Sequence, residues 1–391
     1  MSVEAERAQS PGGGRTGKRA LAGIALASAA VLVLAACSGS VPPASSPPGA
    51  AASAAAGAAA PATPAFTPQT LSETGSSLMA PLFTMWWGPA YHTQFSQVTL
   101  NPRSSSSGAG ISSAAAGTVD IGASDAYLSP ATLAKYPGLV NIPLAVAALM
   151  VVYNVPGLGF PTHLRLDGTV LAQIFSGKIT KWNDPAIQDQ NRGVSLPGTS
   201  IVLIHRADAS GSTFLFTSYL NAQDPSGWST SLIGTTVAWP AQPGELGATE
   251  SGGIISKVRS APGSISYVGV SYKSEVEQDG EGEAQFGNSA GNYELPGPDT
   301  IQAALASFTN TPANETISLI NGSGARAYPI INYEYAVVNT SQPSATRAQD
   351  LRAFLYWAIT RGTALLGNVN FQPLPRSVLT LSQAQMAKIE G

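Results

Sequence analysis

The chain has 391 residues, 44% of them hydrophobic and 11% charged, with a net charge of −3. That length exceeds one ordinary domain of about 100–200 residues, so two lobes are expected, and a sizeable core is easily built. Charged residues stand well below the ~25% usual for soluble domains. The acidic balance speaks against a nucleic-acid partner, because no basic stretch would track a phosphate backbone.

Residues 1–37 hold Arg7, Arg15, Lys18 and Arg19 against Glu4 and Glu6. Arg15–Arg19 forms a positive leader to the apolar stretch Ala20–Ala36, which is short for a stable membrane span. It ends in Leu34-Ala35-Ala36-Cys37, and Cys37 is the chain's single cysteine. This pattern resembles a bacterial lipobox. Residues 1–36 then read as a lipoprotein signal peptide, Cys37 as the lipidation site, and the protein as membrane-anchored on the extracytoplasmic face. An uncleaved signal anchor with an incidental cysteine is the alternative. A lone cysteine excludes an intramolecular disulfide and a thiolate metal cluster. Residues 37–69 are mostly Ala, Pro, Ser and Gly, with a single Phe and no charge between Arg19 and Glu73; such a segment buries little and reads as a disordered tether.

From residue 70 onward, short apolar runs alternate with helical patterns, the signature of an α/β protein. The sequence predicts a helix over Leu78–Phe95, kinked or split at Gly88-Pro89, and a strand at Val98–Leu100. Ser104–Gly110 reads as a turn opening an Ala-rich helix, and Val119–Gly122 as a strand ending at Ala123-Ser124-Asp125. Leu144–Tyr153 is a long buried strand, followed by a turn at Gly157–Phe160. Ile201–Ile204 is a strand feeding the loop Arg206–Ser212, and Thr213–Asn221 is a helix. Later come strands at Ile265–Val270 and Ile330–Val338 and a helix at Leu351–Gly362. Residues 274–300, rich in Gly and Glu, read as a surface insertion.

Three turns of small residues stand where helices begin: Gly75-Ser76-Ser77, Ser106-Ser107-Gly108 and Ser210-Gly211-Ser212. A helix N-terminus presents unpaired N–H groups and the positive end of the macrodipole, so it suits an anion. Any one such turn serves as an ordinary N-cap more often than as a binding site. Arg206, four residues before Ser210, could clasp a tetrahedral oxyanion through two N–H groups, with Asp208 orienting it; a plain surface Arg–Asp pair is the other reading. Asp125 would repel an anion unless the anion brings a proton. Hydrogen phosphate does so at neutral pH and sulfate does not, so an acceptor there would admit one and reject the other. A helix-capping role for Asp125 fits the sequence equally.

Several runs together resemble the phosphate-binding protein of the high-affinity phosphate ABC transporter, in its lipoprotein form. They are Thr118–Asp125, Arg206–Phe214 with Phe216–Leu220, Gly177–Asp184, Tyr328–Tyr333 and Pro373–Pro375. The resemblance implies an α/β type II periplasmic-binding-protein fold, two lobes with mixed sheets joined by two hinge crossovers. Lobe I would be 70–147 with 325–391, and lobe II 148–324. It implies that Ser77, Leu78, Ser107, Asp125, Arg206, Ser210, Gly211 and Ser212 bind phosphate, with Asp208 behind Arg206. It also implies delivery to ABC-transporter permease subunits by a monomer with no cofactor. The family usually has Thr-Phe at Ser77-Leu78, Thr at Ser212 and Gly at Ala209; the ligand chemistry survives these changes. A phosphatase or sensing role on the same fold is the alternative. His92, His163 and His205 lack metal-ligand spacing, so an enzyme is not expected.

Overall fold

The computed structural model describes Pro64 and residues 67–391, so the signal peptide, Cys37 and nearly all of the tether lie outside the described residues. Strand β1 (Gln69–Ser76) leads into a helix that starts with a π-helical stretch, Leu82–Trp87, and continues as α1 (Gly88–Gln94). Then come β2 (Val98–Ser105), α2 (Ser107–Ala115), β3 (Ile121–Ser124), α3 (Pro130–Lys135) and the longest strand, β4 (Leu139–Asn154). The middle of the chain carries β5 (Arg165–Leu166), α4 (Gly168–Phe175), α5 (Pro185–Gln190), β6 (Val202–Arg206) and α6 (Gly211–Gln223). It continues with β7 (Leu246–Ala248), α7 (Glu250–Ser260), β8 (Ser264–Gly269), α8 (Lys273–Asp279), β9 (Gly282–Glu283) and β10 (Gln285–Gly287). The last elements are β11 (Tyr293–Glu294), α9 (Pro298–Leu305), β12 (Ile331–Asn339), α10 (Ala345–Ile359) and α11 (Arg376–Met386). Among the described residues, no helix is long and apolar enough to cross a membrane.

The strands form one mixed sheet in the order β2-β1-β3-β12-β4-β8-β6-β7, with β9 also on β4, and a small second sheet β11-β10-β5. β1 runs parallel to β2 and β3, whereas β12 is antiparallel to both β3 and β4. β4 changes partners along its length. Leu139–Ala148 pairs with β12, and Leu149–Asn154 pairs with β8. Every residue of β4 except Asn154 is buried, which fits its continuous apolar run better than an alternating one. Pro143 has no N–H to give to the ladder, and the β12 pairing slips one residue there, between Glu334 and Tyr335.

The helices start where the sequence supplies caps. Ser106, Asp167 and Ser210 accept from Ala109, Val170 and Thr213 N–H groups at 3.3, 2.8 and 3.3 Å, each cap worth about 1 kcal/mol. The π-helical stretch lies just before Pro89, and the Gly88 N–H reaches back to the Phe83 carbonyl. The expected split at Gly88-Pro89 is therefore a change of helical pitch, which absorbs the donor that proline lacks.

Two expectations need correction. Residues 274–300 are no surface insertion: β9 pairs with β4, β10 pairs with β5, and Glu283, Ala284 and Phe286 are buried. The Gly- and Glu-rich composition hid short strands, of which only β10 and β11 pair locally while the pairings with β4 and β5 are non-local. The helix expected over Leu351–Gly362 begins six residues earlier, after the cap Ser344, and gives way to a 3₁₀ stretch, Gly362–Val369.

Candidate functional site

The three hydroxyl-bearing turns and the β3 terminus converge on one carboxylate. β3 ends at Ser124, so Asp125 leaves the sheet edge and is 2% exposed. Ser212, at the start of α6, donates its hydroxyl to Asp125 Oδ2 at 2.8 Å. Ser76, at the end of β1, donates to Asp125 Oδ1. The Ser107 hydroxyl accepts from the Asp125 backbone N–H at 3.2 Å. Gly211 sits so close that a Cβ there would lie 2.5 Å from Ser107 Oγ and 2.7 Å from Asp125 Cβ. The neighbouring Gly108 N–H donates to the Ala209 carbonyl at 2.9 Å, binding the α2 and α6 turns together.

Arg206 is 5% exposed and is held by Asp208 through two parallel bonds, Nε to Oδ1 at 2.6 Å and an Nη to Oδ2 at 2.5 Å. This fork leaves the remaining guanidinium N–H groups to other acceptors. Arg206 also acts electrostatically on Asp125. Burial raises the Asp125 carboxyl above its usual range, while the Ser76 and Ser212 hydroxyls and the Arg206 charge pull it back down. The outcome is a buried acceptor surrounded by donors, with one fixed cation beside it.

The remaining expected residues stand around this centre. Ser210 caps α6 through its hydroxyl, and its backbone N–H donates to the Thr235 carbonyl at 2.8 Å. The Leu78 N–H reaches the Ser76 hydroxyl at 3.2 Å, and its side chain packs where a side chain on Gly269 would collide. Ser77 faces a different partner: its Oγ accepts from the Ser251 N–H at 2.9 Å and lies 2.9 Å from Ser251 Oγ. His205 turns away from the site, stacked on Trp239 with its ring centre 5.3 Å distant. Among the described residues, no group of three or more His, Cys, Asp and Glu side chains could hold a metal ion.

Sequence reasoning missed Ser76 as the direct partner of Asp125, and missed Ser251, Glu250 and Glu334 altogether. Ser251 lies in the first turn of α7, in the run Thr249-Glu250-Ser251-Gly252-Gly253, a fourth small-residue helix start that could have been found by the same logic. Glu250 adopts φ of 59°, a left-handed backbone unusual for this residue. Its N–H meets Asp208 Oδ2 at 3.3 Å, and its carboxylate accepts from the Ser104 hydroxyl. Strain here is offset by contacts on two sides.

This arrangement is that of a periplasmic-binding-protein domain, and a model of the PBP superfamily domain matches residues 51–361. Among its relatives, the phosphate-binding protein PstS of Xylella fastidiosa is 32% identical over 331 residues, 83% of this chain and 88% of the relative. PstS of Pasteurella multocida is 32% identical over 320 residues, covering 81% and 90%. PstS 3 of Mycobacterium leprae is 32% identical over 319 residues, covering 79% and 84%. The chain belongs to the PstS family of phosphate-binding proteins. The fold is shared with solved structures: the phosphate-bound periplasmic protein PfluDING matches with a TM-score of 0.66 at 20% identity, covering 81% of this chain and 93% of the other. A human phosphate-binding apolipoprotein matches with a TM-score of 0.64 at 20% identity over the same shares.

Proposed function

We propose that this protein captures inorganic phosphate at the Asp125 centre and delivers it to the permease of an ABC transporter. The observation that carries the reading is the buried Asp125 carboxylate among hydroxyl donors, with Arg206 fixed beside it. An acceptor at the heart of an anion site favours an oxyanion that still carries a proton. In this reading Ser77, Leu78, Ser107, Ser210, Gly211 and Ser212 supply donors, Arg206 supplies charge, and Asp208 keeps its guanidinium aimed.

The lobes would divide at β4 and at the return into β12. Lobe I is 70–147 with 325–391, and lobe II is 148–324. Donors then come from both sides of one cleft, and ligand binding draws them together. The Cys37 lipid anchor would hold the protein on the extracytoplasmic membrane face, with residues 37–69 as tether, and the protein acts as a monomer.

Calorimetric titration of the purified protein, refolded to remove carried ligand, tests this directly. Phosphate at about pH 7.5 should bind one-to-one and resist a large excess of sulfate. Asp125→Ala and Arg206→Ala should each weaken binding by at least about thirtyfold, as losing one member of a buried charged pair costs ~2–5 kcal/mol. Competition by sulfate would overturn the proton-acceptor argument.

A further inference from the structure

One buried acid stands behind the site without a role in the reading above. Glu334, on β12, is fully buried. Among the described residues, neither of its carboxyl oxygens has a hydrogen-bond partner of ordinary geometry. The strand register says where it stands. Tyr335 pairs with Ser124 of β3, so one further step along the two antiparallel strands sets Glu334 opposite Asp125. On its other side, β4 offers Ala145, immediately beyond the slip that Pro143 imposes. Asn332, two residues away, donates its side-chain amide to the Asp125 carbonyl, which fastens the two segments together.

We propose that Glu334 is a positioning and specificity-determining residue of the phosphate site: it donates its carboxyl proton to Asp125 and so keeps Asp125 an acceptor. The inference rests on the phosphate reading of the Asp125 centre and deepens it. Two adjacent buried carboxyls cannot both ionise at tolerable cost, so the pair holds one proton. Its location is decided by the surroundings. Asp125 has Ser76, Ser212 and the Arg206 charge to stabilise a carboxylate. Glu334 has the Asn332 amide as its single stabilising neighbour and no cation, and burial and the Asp125 charge outweigh that amide and push its carboxyl well above the ordinary range. The next titratable group along the strand is Tyr335, which burial keeps neutral and which also feels Tyr333, Glu315 and Tyr127. The proton therefore rests on Glu334. Passing it to Asp125, which would let the site donate to a proton-less oxyanion such as sulfate, would strand a carboxylate on Glu334. The pair thus locks the polarity of the site against such ligands.

The test is phosphate titration of the purified protein from pH 5 to 9, with sulfate as competitor, for wild type, Glu334→Gln and Glu334→Leu. Gln keeps an N–H donor toward Asp125, so its affinity should stay within about threefold of wild type. Leu removes the donor and no charge. Asp125 should then protonate at higher pH, so phosphate affinity falls earlier on acidification by about one pH unit or more, and sulfate begins to compete. Were Glu334 ionised instead, its removal would shift the profile the opposite way. A folded Leu variant with an unshifted or oppositely shifted profile overturns the proposal, because a packing defect alone lowers affinity without moving the profile. A second readout covers a Leu variant that fails to fold. The infrared difference between wild type and Glu334→Gln at pH 8 should contain the band of a protonated carboxyl, and its absence also overturns the proposal. Failure of wild type to bind phosphate at any pH would instead remove the phosphate reading itself.

Discussion

At the scale of single residues, Gly211 illustrates how little room the site leaves. A methyl there would meet Ser107 Oγ at 2.5 Å, Asp125 Cβ at 2.7 Å and the Ala126 backbone nitrogen at 2.9 Å. The Ser107 hydroxyl can rotate away, but the other two atoms belong to the turn that carries the acceptor. Gly211→Ala should push the α6 start off Asp125 and lengthen the Ser212 bond, a strain of about 1–3 kcal/mol. The expected result is a roughly tenfold to hundredfold loss of phosphate affinity on calorimetric titration, in a protein that still melts cooperatively. Wild-type affinity in this variant would mean that the α6 turn takes no part in the ligand site. The same crowding explains what the sequence could and could not reveal here. Ser107, Asp125, Arg206 and Ser212 announce themselves through local chemistry, as hydroxyls and charges at helix starts and a strand end. Glu334 and Ser251 do not. Their meaning lies in a register between β3 and β12 and in a contact between residues 174 apart in the chain, and neither can be read from neighbours along the sequence.

At the scale of elements, the apolar pattern predicted existence better than extent. β4 was legible from Leu144 to Tyr153 but begins at Leu139, because Leu139–Pro143 is buried by pairing with β12 and not by its own periodicity. β3, expected over Val119–Gly122, lies two residues later at Ile121–Ser124. Asp120 explains part of that shift: its carboxylate accepts from the Ser72 N–H at 2.6 Å and from Arg347 Nε, also at 2.6 Å, so it anchors the strand's approach and not the strand. α10 shows how such an element is fixed by packing. Phe354 is fully buried, with its ring centre 5.1 Å from that of Tyr91 and 6.1 Å from that of Phe83, and it also meets Trp87 and Trp357. This cluster joins α10 to the π-helical stretch and α1. Phe354→Ala should cost about 3–5 kcal/mol. Urea unfolding should show a lower midpoint with an unchanged slope. A loss below about 1 kcal/mol would mean that the cluster collapses to fill the space.

For the whole molecule, buried acids set how stability responds to pH. Burial pushes Glu73 of β1 up to about 8, against a smaller downward pull from a backbone bond near Arg103. Glu315 is likewise pushed up to about 8 by burial, although the Ser382 hydroxyl and the Lys388 charge oppose the shift. In the unfolded chain such carboxyls titrate near ~4.3. Between those limits the folded protein binds more protons than the unfolded one, so its stability falls as pH rises. Asp125 and Glu334, both raised by burial, act in the same direction. The penalty is complete above the folded pKa, shrinks as pH falls, and is gone only below the unfolded pKa. Thermal unfolding of the ligand-free protein should therefore give a Tm that climbs by about 1–3 °C from pH 8.5 to 5.5, the span that ~1–2 kcal/mol covers in a chain of this size. Glu315→Gln separates this cause from others. The amide can still meet Ser382 but carries no charge, so the variant should exceed wild type most above pH 8, by a margin that shrinks steadily toward pH 5.5. A Tm that is flat over this range, or a Glu315→Gln profile parallel to that of wild type, would show that the buried carboxyls find compensation in the folded state and that stability is governed elsewhere.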